Sequence, residues 1–280
     1  NETVRTGLAT LNAQTGEALD LVLRIGEGNS TLTSRLWQQI ARPGWFDVLH
    51  QRGLIETWLD SNDQAQRERA ITWLADAGAD HGALVAELLT SRRDLPEYLL
   101  RLRWLSQRAE LHQNRPLFDL VLSAVRLGDL DPADKNLWLS VHGLAAHEPV
   151  WAINLLSACF IESPSALVTG PDGKVSILGL HDYNASELIK ETSKAEPRAF
   201  AETFVPYLLA VMQATSMEGR RDGPLYDHHF SLRLRSEAGF DNADDALYNG
   251  AADALARWAS TEPESVEPVL RTLAANDHAS

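Results

Sequence analysis

The chain of 280 residues has one cysteine, Cys159, and so no internal disulfide. That thiol sits in the apolar run from Trp151 to Ile161 with no basic neighbour in sequence. A buried, inert thiol in a reducing compartment is the expectation, and a cysteine nucleophile is disfavoured. No stretch approaches the roughly 18 apolar residues that a membrane-spanning helix needs. Residues 1–20 lack the continuous apolar core of a signal peptide. Positive charge is also scarce: 25 Lys and Arg stand against 39 Asp and Glu, a net charge of -14. This disfavours nucleic acid or an anionic membrane as the main partner, since both attract cationic surfaces. Chemistry-bearing motifs are missing too. There is no P-loop, no dinucleotide glycine fingerprint, no His-Glu-x-x-His, no Cys-x-x-Cys and no Gly-x-Ser-x-Gly. Arg221 and His228 are spaced as in helical ribonucleases, but Gly223 and Pro224 between them break the helix such a site needs. No cofactor is expected.

What remains is apolar residues at helical period, with 44% hydrophobic content, ample for a core. Leu19, Val22 and Leu23 share a face; Leu36, Trp37 and Ile40 share another. Pro43 opens a short helix holding Trp45, Phe46 and Leu49, which Gly53 closes. A phrase then recurs: a tryptophan-bearing helix, a polar break, a second apolar helix. Trp73 precedes a break at Gly78–Gly82; Trp104 precedes Asn114-Arg115-Pro116; Trp138 precedes Glu148-Pro149; Trp258 precedes Glu262-Pro263. Trp37, Trp73, Trp104 and Trp138 stand 36, 31 and 34 residues apart, about the length of a helix hairpin. The Glu-Pro steps at 148–149, 196–197 and 262–263 place proline at the first helical position and glutamate at the positive end of the dipole. The fold class expected is all-α: an irregular HEAT or tetratricopeptide-like helix-hairpin solenoid, with a compact helical bundle as the alternative. At helical spacing beside leucines the tryptophans read as core, Trp45 and Trp58 being the two that could instead anchor a partner.

Two segments break the helical pattern. Residues 164–183 read as a β-hairpin or ordered loop, with Val168 before Pro171-Asp172-Gly173 and Val175 and Ile177 alternating after it. This divides the chain into a helical array over 1–163, the insertion over 164–183 and a helical part over 184–280. Residues 216–240 are rich in glycine, aromatic and ionisable residues, more than a connector between helices requires. Arg220, Arg221, Tyr226, His228, His229 and Arg233 are the candidate binding residues, because arginine and tyrosine are enriched at interface hot spots. Asp227, His228 and His229 carry the competing reading, a metal-assisted hydrolase, with His181 and Asp182 as the nearest further ligands. Against it, Asp227 makes a good helix cap and adjacent histidines diverge. Arg92, Arg93, Arg101, Arg103 and Arg108 also cluster, with Glu97 and Arg101 at ion-pair spacing; ion-paired helix faces are favoured over a phosphate site.

Two phrases carry a resemblance. Pro43-Gly44-Trp45-Phe46-Asp47-Val48-Leu49-His50-Gln51-Arg52-Gly53-Leu54-Ile55 and Tyr226-Asp227-His228-His229-Phe230-Ser231-Leu232-Arg233 resemble phrases in the degenerate helical-repeat, sensor-type regions of large bacterial STAND-type ATPases. The chain has no ATPase motif, so the resemblance covers only the repeat part. With Asn1 as first residue, it also leads to the expectation of an upstream domain beyond this chain. It implies a non-catalytic, cytoplasmic module that recognises a protein, foreign or partner, and licenses an effector elsewhere, as in antiviral defence.

Overall fold

The computed structural model describes residues 16–26, 28, 29, 31, 32, 35, 36, 43–94, 98–108, 110–141, 143–164, 167–169, 175–177, 180, 182–216 and 243–275. These are helical apart from turns and one two-stranded ladder. The chain forms two compact units, Asn1–Ala109 and Glu110–Ser280. Among the described residues no helix is long and apolar enough to cross a membrane.

In the first unit, α1 (Gly16–Gly26) buries Leu19 and Val22 on one stripe. Pro43–Trp45 form a 3-10 turn that leads into α2 (Phe46–Gln51), which buries Phe46 and Leu49. Gly53 ends it at φ +65°, a conformation that costs glycine nothing. Its N–H bonds to the His50 carbonyl and its own carbonyl accepts from Thr57, so one residue closes α2 and opens α3 (Leu54–Leu59). Asp63 then caps α4 (Gln64–Thr90) by accepting from the Ala65 N–H at 2.9 Å. The Gly78–Gly82 stretch, expected to be a break, lies inside this 27-residue helix. Glycine lowers helix propensity by about 1 kcal/mol without forbidding the helix. What results is a kink at His81 (φ -131°, ψ 28°), whose ring stacks on Phe46 at 4.3 Å. The helix α5 (Tyr98–Arg108) follows and packs on α4.

In the second unit, Asn114 caps α6 (Arg115–Arg126), accepting from the Leu117 N–H, with proline in the first turn. Here α6 buries Leu117, Phe118, Val121, Leu122, Ala124 and Val125. Trp138 falls in a 3-10 helix, Lys135–Ser140; it is fully buried and its indole donates to the Pro132 carbonyl at 2.9 Å. Then come α7 (Leu144–His147) and α8 (Pro149–Ser157), the latter running into a π turn, Ala158–Glu162. Strands β1 (Leu167–Thr169) and β2 (Val175–Ile177) pair antiparallel, Val168 opposite Ser176. The unit continues with α9 (Tyr183–Ala195), α10 (Pro197–Ser216), α11 (Ala243–Thr261) and α12 (Pro263–Ala274).

The three Glu-Pro steps adopt one conformation. Glu148 has φ, ψ of -137°, 61°; Glu196 has -131°, 67°; Glu262 has -136°, 62°. A residue before proline is driven out of the helical region, so the helix must turn there. Each glutamate N–H still bonds back four residues: to Leu144, Thr192 and Trp258. Each glutamate carbonyl accepts from four residues ahead: Ala152, Phe200 and Val266, all buried. A single residue therefore joins two helices without leaving its own backbone groups unpaired. The resulting pairs pack in chain order: α7 and α8 on α9, α8 also on α10, and α9 and α10 on α11. Gly250 lets α11 approach α9: a Cβ there would lie 3.3 Å from Ile189 and 3.4 Å from Ser193. Because α8 packs on both α9 and α10, the helices on either side of the 164–183 segment belong to one compact unit, Glu110–Ser280.

Trp138 and Trp258 are core, and so is Trp45, at 4% exposure. Trp58 is half-buried. Trp37 and the side chains of Trp73 and Trp104 lie outside the described residues. Replacing Trp138 with Ala is expected to cost about 3–5 kcal/mol in denaturant unfolding, the usual range for a buried large aromatic. The neighbouring Leu139→Ala, at a side chain 49% exposed, should cost under about 0.5 kcal/mol. Equal losses would place Trp138 on the surface.

Candidate functional site

Arg220, Arg221, Tyr226, Asp227, His228, His229 and Arg233 all fall in 217–242, outside the described residues, as does His181. The residues on either side of 217–242 are described. Its two ends are Ser216, the last residue of α10, and Ala243, the first of α11. The Ala243 N–H donates to the Leu180 carbonyl at 2.9 Å, and α10 packs on β2. The borders of 164–183 and 217–242 thus meet on one part of the second unit. Asp182, the nearest carboxylate to the two-histidine reading, caps α9. Its side chain accepts from Ala185 and its carbonyl accepts from the Ser186 hydroxyl. Next to it, Tyr183 is 59% exposed.

The arginine cluster of the first unit is built into the fold. Arg92 grips Asp60 with two bonds of 2.7 Å. The fork of Arg92 holds the Asp60 carboxyl below its usual range, with the charge of Arg101 adding to the effect. Arg101 is fully buried and donates to the carbonyl of Leu59, the last residue of α3, at 2.9 Å. A cation at a helix C-terminus meets the negative end of the dipole as well as an orphan carbonyl. Arg93 and Arg103 have partners too. Glu97, the expected partner of Arg101, and the side chain of Arg108 lie outside the described residues.

No protein-family model matches the chain, nor does any curated protein or solved structure. Cys159 is buried, and desolvation raises its thiol far above the ordinary value, which removes it as a nucleophile at neutral pH. Among the described residues no group of three or more His, Cys, Asp or Glu is placed to hold a metal. Three clusters in the second unit had no clear trace in the sequence. Arg115 lies 4.8 Å from the Trp151 ring centroid, and Trp151 stacks on Phe118 at 5.1 Å. Beside Gly143, His112 stacks on His147 at 4.9 Å. Near the last corner, Arg198 bonds Glu202 and Glu262 and lies over Trp258. The Ser265 hydroxyl, donating at 2.9 Å, and Arg198 hold the Glu262 carboxyl below its usual range. These are planar groups brought together across helices 30 or more residues apart, a distance at which sequence spacing carries no signal.

The Asp60–Arg92 pair predicts a pH dependence. Its carboxyl is lowered by folding, so the contribution is present above the unfolded value near ~3.9 and is lost as pH falls through the lower folded value. Asp60 is 53% exposed at its side chain, so solvent screening limits the coupling to about 0.5–1 kcal/mol. A double-mutant cycle with Asp60→Asn and Arg92→Gln should read that coupling at pH 7 and find it fading below about pH 4. Coupling that is unchanged at pH 2.5 would contradict the pairing.

Proposed function

We propose that this chain is a non-catalytic protein-binding module. In this reading it is an irregular solenoid of HEAT or tetratricopeptide-like hairpins with a β-hairpin inserted at 164–183. It would serve as the ligand-sensing part of a larger cytoplasmic bacterial defence or signalling protein, whose catalytic domain lies elsewhere. The observation that carries the reading is the threefold recurrence of the helix–Glu–Pro–helix corner, with its pairs packed in chain order. Each hairpin of this kind buries one stripe on its neighbour, and stacking creates a long surface that a protein ligand can cover. A buried thiol and capped or ion-paired carboxylates fit a scaffold better than a reaction centre.

In this reading the ligand surface lies at 164–183 and 216–240; Ala243, just after the second segment, bonds the Leu180 carbonyl of the first. The glycine and proline of both segments favour loop over helix, and loops carry recognition. Arg220, Arg221, Tyr226 and Arg233 supply the hot-spot residue types, with His228 and His229 beside them. The test is a capture experiment with the full chain and its Arg220→Ala, Arg221→Ala, Tyr226→Ala triple variant. The reading expects an unchanged melting temperature and loss of at least one protein that the parent chain retains. An unfolded variant, or an unchanged set of captured proteins, would remove this surface from consideration. Stoichiometric zinc in the purified chain, lost on changing His228 and His229 to Ala, would replace the module by a metal enzyme.

A further inference from the structure

Two amphipathic helices of the second unit make a controlled comparison. Both are 12 residues long. The first, α6, fully buries six apolar side chains. In α12 the apolar residues Val266, Val269, Leu270 and Leu273 stand at i, i+3, i+4 and i+7, a complete stripe. Yet α12 fully buries only Val266; Val269 and Leu273 are half-buried and Leu270 is 43% exposed. Scattered exposed leucines are ordinary, but a continuous stripe left partly open along a helix is not.

The charge around this stripe narrows what can cover it. The net charge of the chain is concentrated in the second unit, where 13 Lys and Arg face 25 Asp and Glu. Within 243–274, the α11–α12 pair, there are six carboxylates and two arginines. Asp253 and Glu264 are exposed carboxylates on these helices. Glu267, one helical turn from Leu270, bonds Arg271, and Glu262 bonds Arg198. A second copy of this face would bring like charges together, and an anionic lipid surface would be repelled. The stripe therefore suits an occupant with an apolar ridge flanked by cations.

We propose that the open stripe of α12 docks a basic amphipathic helix of a partner protein. The inference rests on the protein-binding reading above but concerns a different surface. A partner helix would lay leucine-type side chains along Val269, Leu270 and Leu273 while its Lys or Arg residues meet the acidic excess of the unit, with the exposed Glu264 on the same helix. Two synthetic helical peptides of about 18 residues serve as probes, one with Leu and Lys, the other with Glu in place of every Lys. Fluorescence anisotropy with the full chain should give saturable binding of the Lys peptide and none of the Glu peptide. Leu270→Asp should weaken the Lys peptide by about tenfold or more, and Leu139→Asp, at another exposed leucine, should leave it unchanged. Salt raised from about 0.1 M to about 1 M should weaken it as well. No saturable binding overturns the proposal. Equal losses from both variants mean diffuse charge attraction and also overturn it. A fall in melting temperature for Leu270→Asp means that the chain covers the stripe itself. A dimer in sedimentation that Leu270→Asp dissociates means that a second copy does. Either result contradicts a partner helix. If the Lys peptide does not bind while capture through Arg220, Arg221 and Tyr226 persists, the module reading stands and only this docking site falls.

Discussion

Every α-helix leaves about four N–H groups and four carbonyls unpaired at its ends. A fold made of short helices meets that cost repeatedly, and the core of this chain depends on how it is met. In the second unit the solution is a single glutamate before proline. The backbone turns at that residue because proline forbids the helical conformation before it. The glutamate nonetheless donates back to the old helix and accepts from the new one, at 148, 196 and 262 alike. Its side chain makes no capping hydrogen bond at 148 or 262. Its position there works through backbone geometry and the helix dipole. The first buried residue of each new helix, Ala152, Phe200 or Val266, is the one whose N–H closes the corner. Hydrogen bonding and core packing are thus set by the same residue.

The first unit solves the same problem differently. Gly53 joins α2 to α3 through a positive φ, and the buried Arg101 covers the carbonyl end of α3. Asp63 closes the start of α4 with a side-chain oxygen, as Asn114, Asp134 and Asp182 do for helix starts of the second unit. Among the described residues, Arg92 and Arg101 are held by Asp60 and by the Leu59 carbonyl. That is why the Arg92–Arg103 group forms structure where a phosphate site was the alternative. The same economy of partners leaves α12 as the exception, a helix whose apolar stripe is only partly covered.

Much of the helical fold was legible in the sequence because its signals are local. Period 3.6, proline at the first turn, and Asp or Asn before an apolar run each act within a few residues. Pro43, Gly53 and the Glu-Pro steps were legible for that reason, and so was the burial of Trp138. The continuity of α4 through Gly78–Gly82 was not, because tertiary packing decides whether a weak helical stretch kinks or stops. The 3-10 form of Lys135–Ser140 and the π turn at 158–162 share the apolar content of α-helix and differ by one residue per hydrogen bond. The division at 109/110 arises from packing that no local pattern encodes. Of the candidate site, the sequence marked residue types, and the structure places only its borders, at Leu180 and Ala243. The Arg115–Trp151–Phe118 stack left no local sign, since Trp151 comes from α8 and the other two from α6.

The corner mechanism makes a direct claim about three amides, which residue-resolved hydrogen exchange by NMR can read. If a single glutamate joins each helix pair with its backbone groups paired, the Glu148, Glu196 and Glu262 N–H groups will exchange slowly, as helix interiors do. The corner would then open only together with the hairpin it joins. Exchange of these three amides at the rate of exposed turns, while the flanking helices stay protected, would mean that the corners are loose linkers and would contradict the account.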